Sequence, residues 1–191
     1  SETTAEHDVL RHVLEDSGAQ VIKIRSMLIE AIQKAPDAER LELISRVAIA
    51  AGNLSLAKEI THWDPDELAS ALISGLNWAR VGHQVPSLAR LRATHHSPND
   101  MALQPIANLM FMRDPCISIY DTIVPSRMTY SARRREPLVV SFALTWGAGV
   151  AADKFLEIPH HPDEPHHYSS FEGGDFLVLS DNALAVGSSQ R

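Results

Sequence analysis

Apolar residues recur at helical spacing through the first part of the chain. Val9, Leu10, Val13 and Leu14 follow Thr3 and Thr4, either of which can cap a helix, and Ser17-Gly18 ends the segment. A short β-type run, Ala19 to Ile24, comes next. Ser26 opens a second helical stretch, MLIEAIQKA, and Asp37 precedes a third whose stripe is Leu41, Ile44, Val47 and Ala48. The clearest helix start is WDPDEL. Asp64 can accept from the first-turn amides, Pro65 loses nothing at the first helical position, and Glu67 stands where a capping box needs it. Behind it Leu68, Leu72, Ile73 and Leu76 share a face. The helical block runs from about Ser26 to about Leu91 and interrupts an α/β pattern, so it reads as an insertion; a separate helical bundle is the alternative that periodicity leaves open.

The pattern changes after Pro98. ALQPIANLMFMRDP is mostly apolar until Arg113 and Asp114, and CISIYDTIV alternates like a half-buried strand. REPLVVSFAL is ambiguous, because its β-branched residues favour a strand whereas Pro137 after Glu136 can open a helix. FLEI reads as a strand, HHPDEPHH as a loop, and FLVLSDNALAVG as a hairpin turning at Ser180-Asp181-Asn182. Asn182 is the residue expected to take a positive φ there. The implied divisions are 1–25, 26–97 and 98–191.

Composition excludes more than it assigns. The chain has 191 residues, 45% of them hydrophobic, which suffices for a core. Its formal charge of −7, from 17 basic and 24 acidic side chains, argues against a nucleic-acid or anionic-membrane partner. A single cysteine, Cys116, rules out an internal disulfide framework and points to a reducing, cytoplasmic compartment. No apolar run is long enough to span a bilayer, and the first residues carry no signal-peptide core.

The candidate chemistry centres on two acids. Asp114 is expected where an apolar strand ends and Glu172 where another begins, with Gly173 and Gly174 beside it. Glycines there allow close backbone or ligand approach and permit angles closed to other residues. Paired carboxylates suit a planar cation, since each can accept parallel hydrogen bonds from a guanidinium. Structural ion pairing and a turn cap are the plainer roles for the same two residues. Cys116 lies two places after Asp114, but free cysteines are more often small buried hydrophobes than nucleophiles, and no activating base adjoins it. The histidines around PDEP (His160, His161, His166, His167) and the pair His95-His96 fit solvated turns better than a metal site. Arg133-Arg134-Arg135 is too short, on an acidic chain, for a phosphate patch. Trp63, Trp78 and Trp146 read as packing residues.

The ordered set Asn108, Phe111, Arg113-Asp114, Arg133, Glu172-Gly173-Gly174-Asp175 and Ser189-Gln190-Arg191 resembles the arginine deiminases of the guanidine-modifying superfamily. The helical insertion is similar too, and the resemblance is tight from Ala107 onward. One departure is Ala107 itself, where the family has a proline; Pro105 lies two places earlier. The resemblance implies a five-fold pseudo-symmetric α/β propeller with an inserted helical domain, of which this chain is a part. It implies hydrolysis of L-arginine to L-citrulline and ammonia through a covalent cysteine thiouronium, with a histidine moving protons and no cofactor or metal. Asp114 would then clamp the substrate guanidinium and Glu172 would hold the catalytic histidine. Asn108, Arg133 and Arg191 would hold the substrate's α-carboxylate, Phe111 would pack on its chain, and Asp175 would shape the site.

Family members continue past the equivalent of Arg191 with modules bringing the histidine, a second aspartate and the nucleophilic cysteine. This chain is therefore expected to be the middle of an enzyme, inactive alone, completed by a homo-oligomer or a second chain. The alternatives are another guanidine-modifying enzyme, such as an amidinotransferase, and a non-catalytic arginine-binding or scaffold protein.

Overall fold

The computed structural model describes residues 2–81, 97, 99–158 and 170–187. Helix α1 (Glu2–Asp16) ends at Ser17-Gly18, as its sequence signals. Its apolar stripe faces outward: Val9, Leu10, Val13 and Leu14 are all exposed. The β-type run after it is not a strand. Residues 19–23 have no regular structure, and Ile24 already opens α2 (Ile24–Lys34). An extended segment becomes a strand only when a neighbour pairs with its backbone, and none does here.

Helices α3 (Asp37–Ala50), α4 (Ser55–Ile60) and α5 (Pro65–Ser74) follow. In α3 the buried stripe is Leu43, Ile44, Val47 and Ala48, while Leu41 is exposed. Helix α5 starts as its residues dictate. The Asp64 carboxylate accepts from the amides of Asp66 at 2.9 Å and Glu67 at 3.2 Å, with Pro65 in the first position. It ends at Gly75, whose φ of 80° and close approach to the Leu103 carbonyl both exclude a side chain. That contact lets β1 (Leu76–Asn77) pair antiparallel with β2 (Met101–Leu103) before the short α6 (Trp78–Val81).

The rest is built from hairpins and one buried helix. CISIYDTIV is two strands, not one: β3 (Cys116–Ile119) pairs with β4 (Thr122–Pro125) in register Ile119↔Thr122. The reversal uses Tyr120, which takes φ 54° without being glycine or asparagine. REPLVVSFAL resolves as helix α7 (Arg135–Phe142), with Pro137 in the first turn where its missing N–H costs nothing. FLEI is not a strand. Only Phe155 bridges, to Ile123, and Leu156 and Ile158 stay exposed. The last hairpin, β5 (Phe176–Ser180) with β6 (Ala183–Val186), forms as expected, although Asn182 does not adopt a positive φ.

One apolar cluster joins the helices to the hairpin region. Leu28, Ile32, Ile44, Val47, Leu68 and Leu72 pack in a continuous core with Leu103, Ile106, Leu109, Val139 and Val140. Each fully buried aliphatic side chain contributes about 1.5–3 kcal/mol, so this core fixes α7 and with it the position of residues 133–136. The class is mixed α/β, and no sheet closes into a barrel among the described residues. No helix among them is long and apolar enough to cross a membrane.

Candidate active site

Three local structures converge on one guanidinium. The first is a run of tight turns before β3. The amide of Phe111 donates to the Asn108 carbonyl at 3.0 Å, and that of Asp114 to the Phe111 carbonyl at 3.0 Å. The apolar run therefore ends in turns, not in a strand. These turns place Asp114 at the mouth of the β3–β4 hairpin, where Ser126 Oγ donates to its carbonyl. Asn108 and Phe111 lie on the same turns with exposed side chains.

The second is the segment from Arg127 to Glu172. Arg127 and Phe171 exchange both backbone hydrogen bonds at 3.0 Å, an antiparallel bridge across a long sequence interval. This sets Glu172 beside Thr129, whose amide donates to Glu172 Oε1 at 3.4 Å. The 3₁₀ turn Gly173–Asp175 then leads into β5. Asp175 shapes that turn directly, since its Oδ2 accepts from the Glu172 amide at 2.8 Å. Gly173 lies against the backbone of Arg113: a Cβ there would be 2.1 Å from the Arg113 carbonyl oxygen. The glycine thus presses the Glu172 turn onto the Arg113-Asp114 segment. Arg113 closes the contact from the other direction by donating to the Phe176 carbonyl.

The third is the start of α7. Arg133 ends a 3₁₀ turn, Ser131–Arg133, and Glu136 follows in the first turn of the helix. Arg133 Nη2 donates to Asp114 Oδ2 at 3.1 Å and Nη1 to Glu172 Oε2 at 3.0 Å. Its Nε donates to Glu136 Oε1 at 3.0 Å and Oε2 at 3.2 Å, and Nη2 reaches Oε2 at 2.8 Å. Because adjacent guanidinium nitrogens are about 2.3 Å apart by standard geometry, the Asp114 and Glu172 oxygens lie within roughly 8 Å of one another. Hydrogen bonds to Glu136, then to Asp114, hold the Arg133 pKa above its usual range, against the opposing effect of burial. Among the described residues one guanidinium faces these three carboxylates, so their cluster carries excess negative charge. That excess favours a further cation.

Glu136 was not singled out from the sequence. The signal was present: Arg133 and Glu136 are three apart at a helix start, the spacing at which oppositely charged side chains meet. Arg135 points elsewhere, donating to the Gln104 carbonyl at 2.6 Å, and burial lowers its pKa. Cys116 packs against the apolar core with Sγ 3.4 Å from Ser141 Oγ. Burial pushes its thiol up to about 11, outweighing the Ser141 hydrogen bond, which is the opposite of what a nucleophile needs. Arg191, with Ser189 and Gln190, lies outside the described residues, as do the histidines at 95–96, 160–161 and 166–167. Among the described residues no group of three or more His, Cys, Asp or Glu is placed to hold a metal. A depression of about 880 Å³ opens between α3 and α7, but it is lined by other side chains, among them Leu43, Arg46, Leu138, Phe142 and Phe155.

A family model for arginine deiminase matches residues 1–191. The chain belongs to the arginine deiminase family. Among curated members it is similar to the arginine deiminase of Limosilactobacillus fermentum, 30% identical over 201 aligned residues that cover 97% of this chain and 45% of that protein. The arginine deiminase of Pediococcus pentosaceus is 29% identical over 192 residues, with the same coverage. That of Limosilactobacillus reuteri is 30% identical over 192. The chain therefore spans less than half the length of these family members.

Proposed function

We propose that this chain supplies the guanidinium-binding part of an arginine deiminase, a hydrolase that converts L-arginine to L-citrulline and ammonia. The carrying observation is that Asp114 and Glu172 already share one guanidinium, at 3.1 and 3.0 Å, in a cluster with surplus negative charge. A substrate guanidinium presents the same planar donors. Membership of the arginine deiminase family supports the choice of substrate.

On this reading Asp114 grips the substrate's guanidinium nitrogens and turns its carbon toward attack. Glu172 steadies the histidine that moves protons, as the third member of a catalytic triad does. Arg133, Asn108 and Arg191 hold the α-carboxylate, Phe111 packs on the aliphatic chain, and Asp175 keeps Glu172 in place. The nucleophile and the histidine come from sequence outside this chain; Cys116 is only partly exposed, and desolvation holds its thiol at about 11. The hairpins and α7 form part of a five-fold α/β propeller, and 26–97 an inserted helical domain. No cofactor takes part, and the partner is a small molecule, not nucleic acid or membrane.

The test is citrulline release from L-arginine by a protein that carries this segment at the length of its relatives. Asp114→Ala should lower kcat/KM by at least about a thousandfold, and Glu172→Gln should depress kcat more than it raises KM. Near-normal efficiency in correctly folded Asp114→Ala would remove the clamp role. The 191-residue chain alone should release no citrulline.

A further inference from the structure

Arg133 does not treat its three acids equally. Glu136 takes one whole edge of the guanidinium, Nε and Nη2, through contacts of 3.0, 3.2 and 2.8 Å. Asp114 and Glu172 take single contacts from Nη2 and Nη1. Burial follows the same order. The Glu136 side chain is 1% exposed, against 11% for Glu172 and 26% for Asp114.

A guanidinium ligand at Asp114, with Glu172 turned to the histidine, requires Arg133 to give up those two single bonds. Giving up Glu136 as well would leave a fully buried carboxylate without its partner, which is far more costly. We propose that Glu136 is a positioning residue: it anchors Arg133 by the Nε–Nη2 edge, so that the Nη contacts to Asp114 and Glu172 can be exchanged while the side chain stays in place. Arg133 then pivots on a fixed edge, and its freed Nη donors can turn toward the ligand's carboxylate. The helix supports this arrangement, since Val139 and Val140 lock α7 into the core immediately after Glu136. The anchor stands on the geometry alone; the exchange for a ligand rests on the arginine reading above.

The experiment is hydrogen exchange at Arg133 Nε–H in the 191-residue chain labelled with ¹⁵N-arginine, the signal being assigned by its loss in Arg133→Lys. Nε touches Glu136 alone among the three acids. Glu136→Gln should therefore speed Nε–H exchange about tenfold or more, whereas Asp114→Asn and Glu172→Gln should change it less than about threefold. Amide exchange along α7 reports whether each variant is folded. If Glu136→Gln fails to fold, Glu136→Asp keeps the charge, shortens the reach and should show the same acceleration. Deprotection by Asp114→Asn or Glu172→Gln equal to that by the Glu136 variant overturns the anchor. Adding L-arginine to the wild type should leave Nε–H protected while the Nη signals move; loss of Nε–H protection on binding also overturns it. If L-arginine also fails to bind a protein that carries this segment at the length of its relatives, while the dependence on Glu136 holds, the anchor stands and the arginine reading falls.

Discussion

Replacing Gly173 by alanine should break the contact that brings Glu172 to Asp114. The added Cβ would lie 2.1 Å from the Arg113 carbonyl oxygen and 2.5 Å from its carbon, both backbone atoms that cannot rotate away. Ordinary contact distances are about 3.5–4.0 Å, so the two segments must separate by about an ångström or more. Gly173 is not in the left-handed region, so the penalty is steric and not conformational. Overpacking of this kind costs about 1–3 kcal/mol. Separation also stretches the 3.0 Å bond from Arg133 to Glu172, a charge-assisted contact of the class worth about 1.5–3 kcal/mol. The two effects share one movement and do not add fully, so the total is about 2–4 kcal/mol. Gly174 is the internal control. A Cβ there meets nothing within 4 Å, so Gly174→Ala should fall within about 0.5 kcal/mol of wild type. Urea denaturation at equal m-value reads both changes as shifts in midpoint. Equal midpoints for the two variants would refute the argument that Gly173 exists for close backbone approach.

Cys116 should be alkylated by iodoacetamide at pH 8 about two orders of magnitude more slowly in the folded chain than in urea, because its thiol sits at about 11; comparable rates would contradict the raised thiol. The same shift has a stability consequence. The unfolded thiol ionises near 8.5, so its contribution is fully present below that pH and is lost as pH rises toward about 11, amounting to about 3 kcal/mol. Cys116→Ala should flatten this decline in a pH series of urea melts. Tyr120→Gly should stabilise the β3–β4 turn by about 0.5–1 kcal/mol by relieving φ 54°, seen as a higher urea midpoint; a lower midpoint would contradict it. Arg133→Ala should cost about 3–5 kcal/mol, since it strands the buried Glu136 carboxylate, and urea melts will show it.

Local chemistry was legible where a residue acts on its own neighbours. Asp64-Pro65 fixed the start of α5, and SDN marked the β5–β6 turn, because caps and turns need only adjacent atoms. Elements that depend on distant partners were not. Ala19 to Ile24 and FLEI have strand composition, yet among the described residues no neighbouring backbone pairs with them beyond the Phe155 bridge. CISIYDTIV hid its reversal because Tyr120, and not a glycine or asparagine, takes the positive φ. The stripe of α1 had the right period but faces outward, so periodicity gave its helix and not its burial. At the candidate site, Asp114 and Glu172 stood out by their position beside apolar runs and glycines, and Arg133 by family resemblance; the structure brings these three together. Glu136 escaped because its spacing from Arg133 is ordinary for a surface ion pair; only the packing of α7 makes that pair buried.

The central claim is that Asp114 recognises the positive charge of a guanidinium. L-citrulline tests it, having nearly the shape of L-arginine with a neutral urea in place of the cation. Titration of both ligands into a protein carrying this segment at the length of its relatives, as wild type and as Asp114→Asn, isolates the charge. The account expects L-arginine to bind at least about tenfold tighter than L-citrulline, and that preference to collapse in Asp114→Asn. An undiminished preference in the folded variant, or equal binding of the two ligands to the wild type, would contradict it.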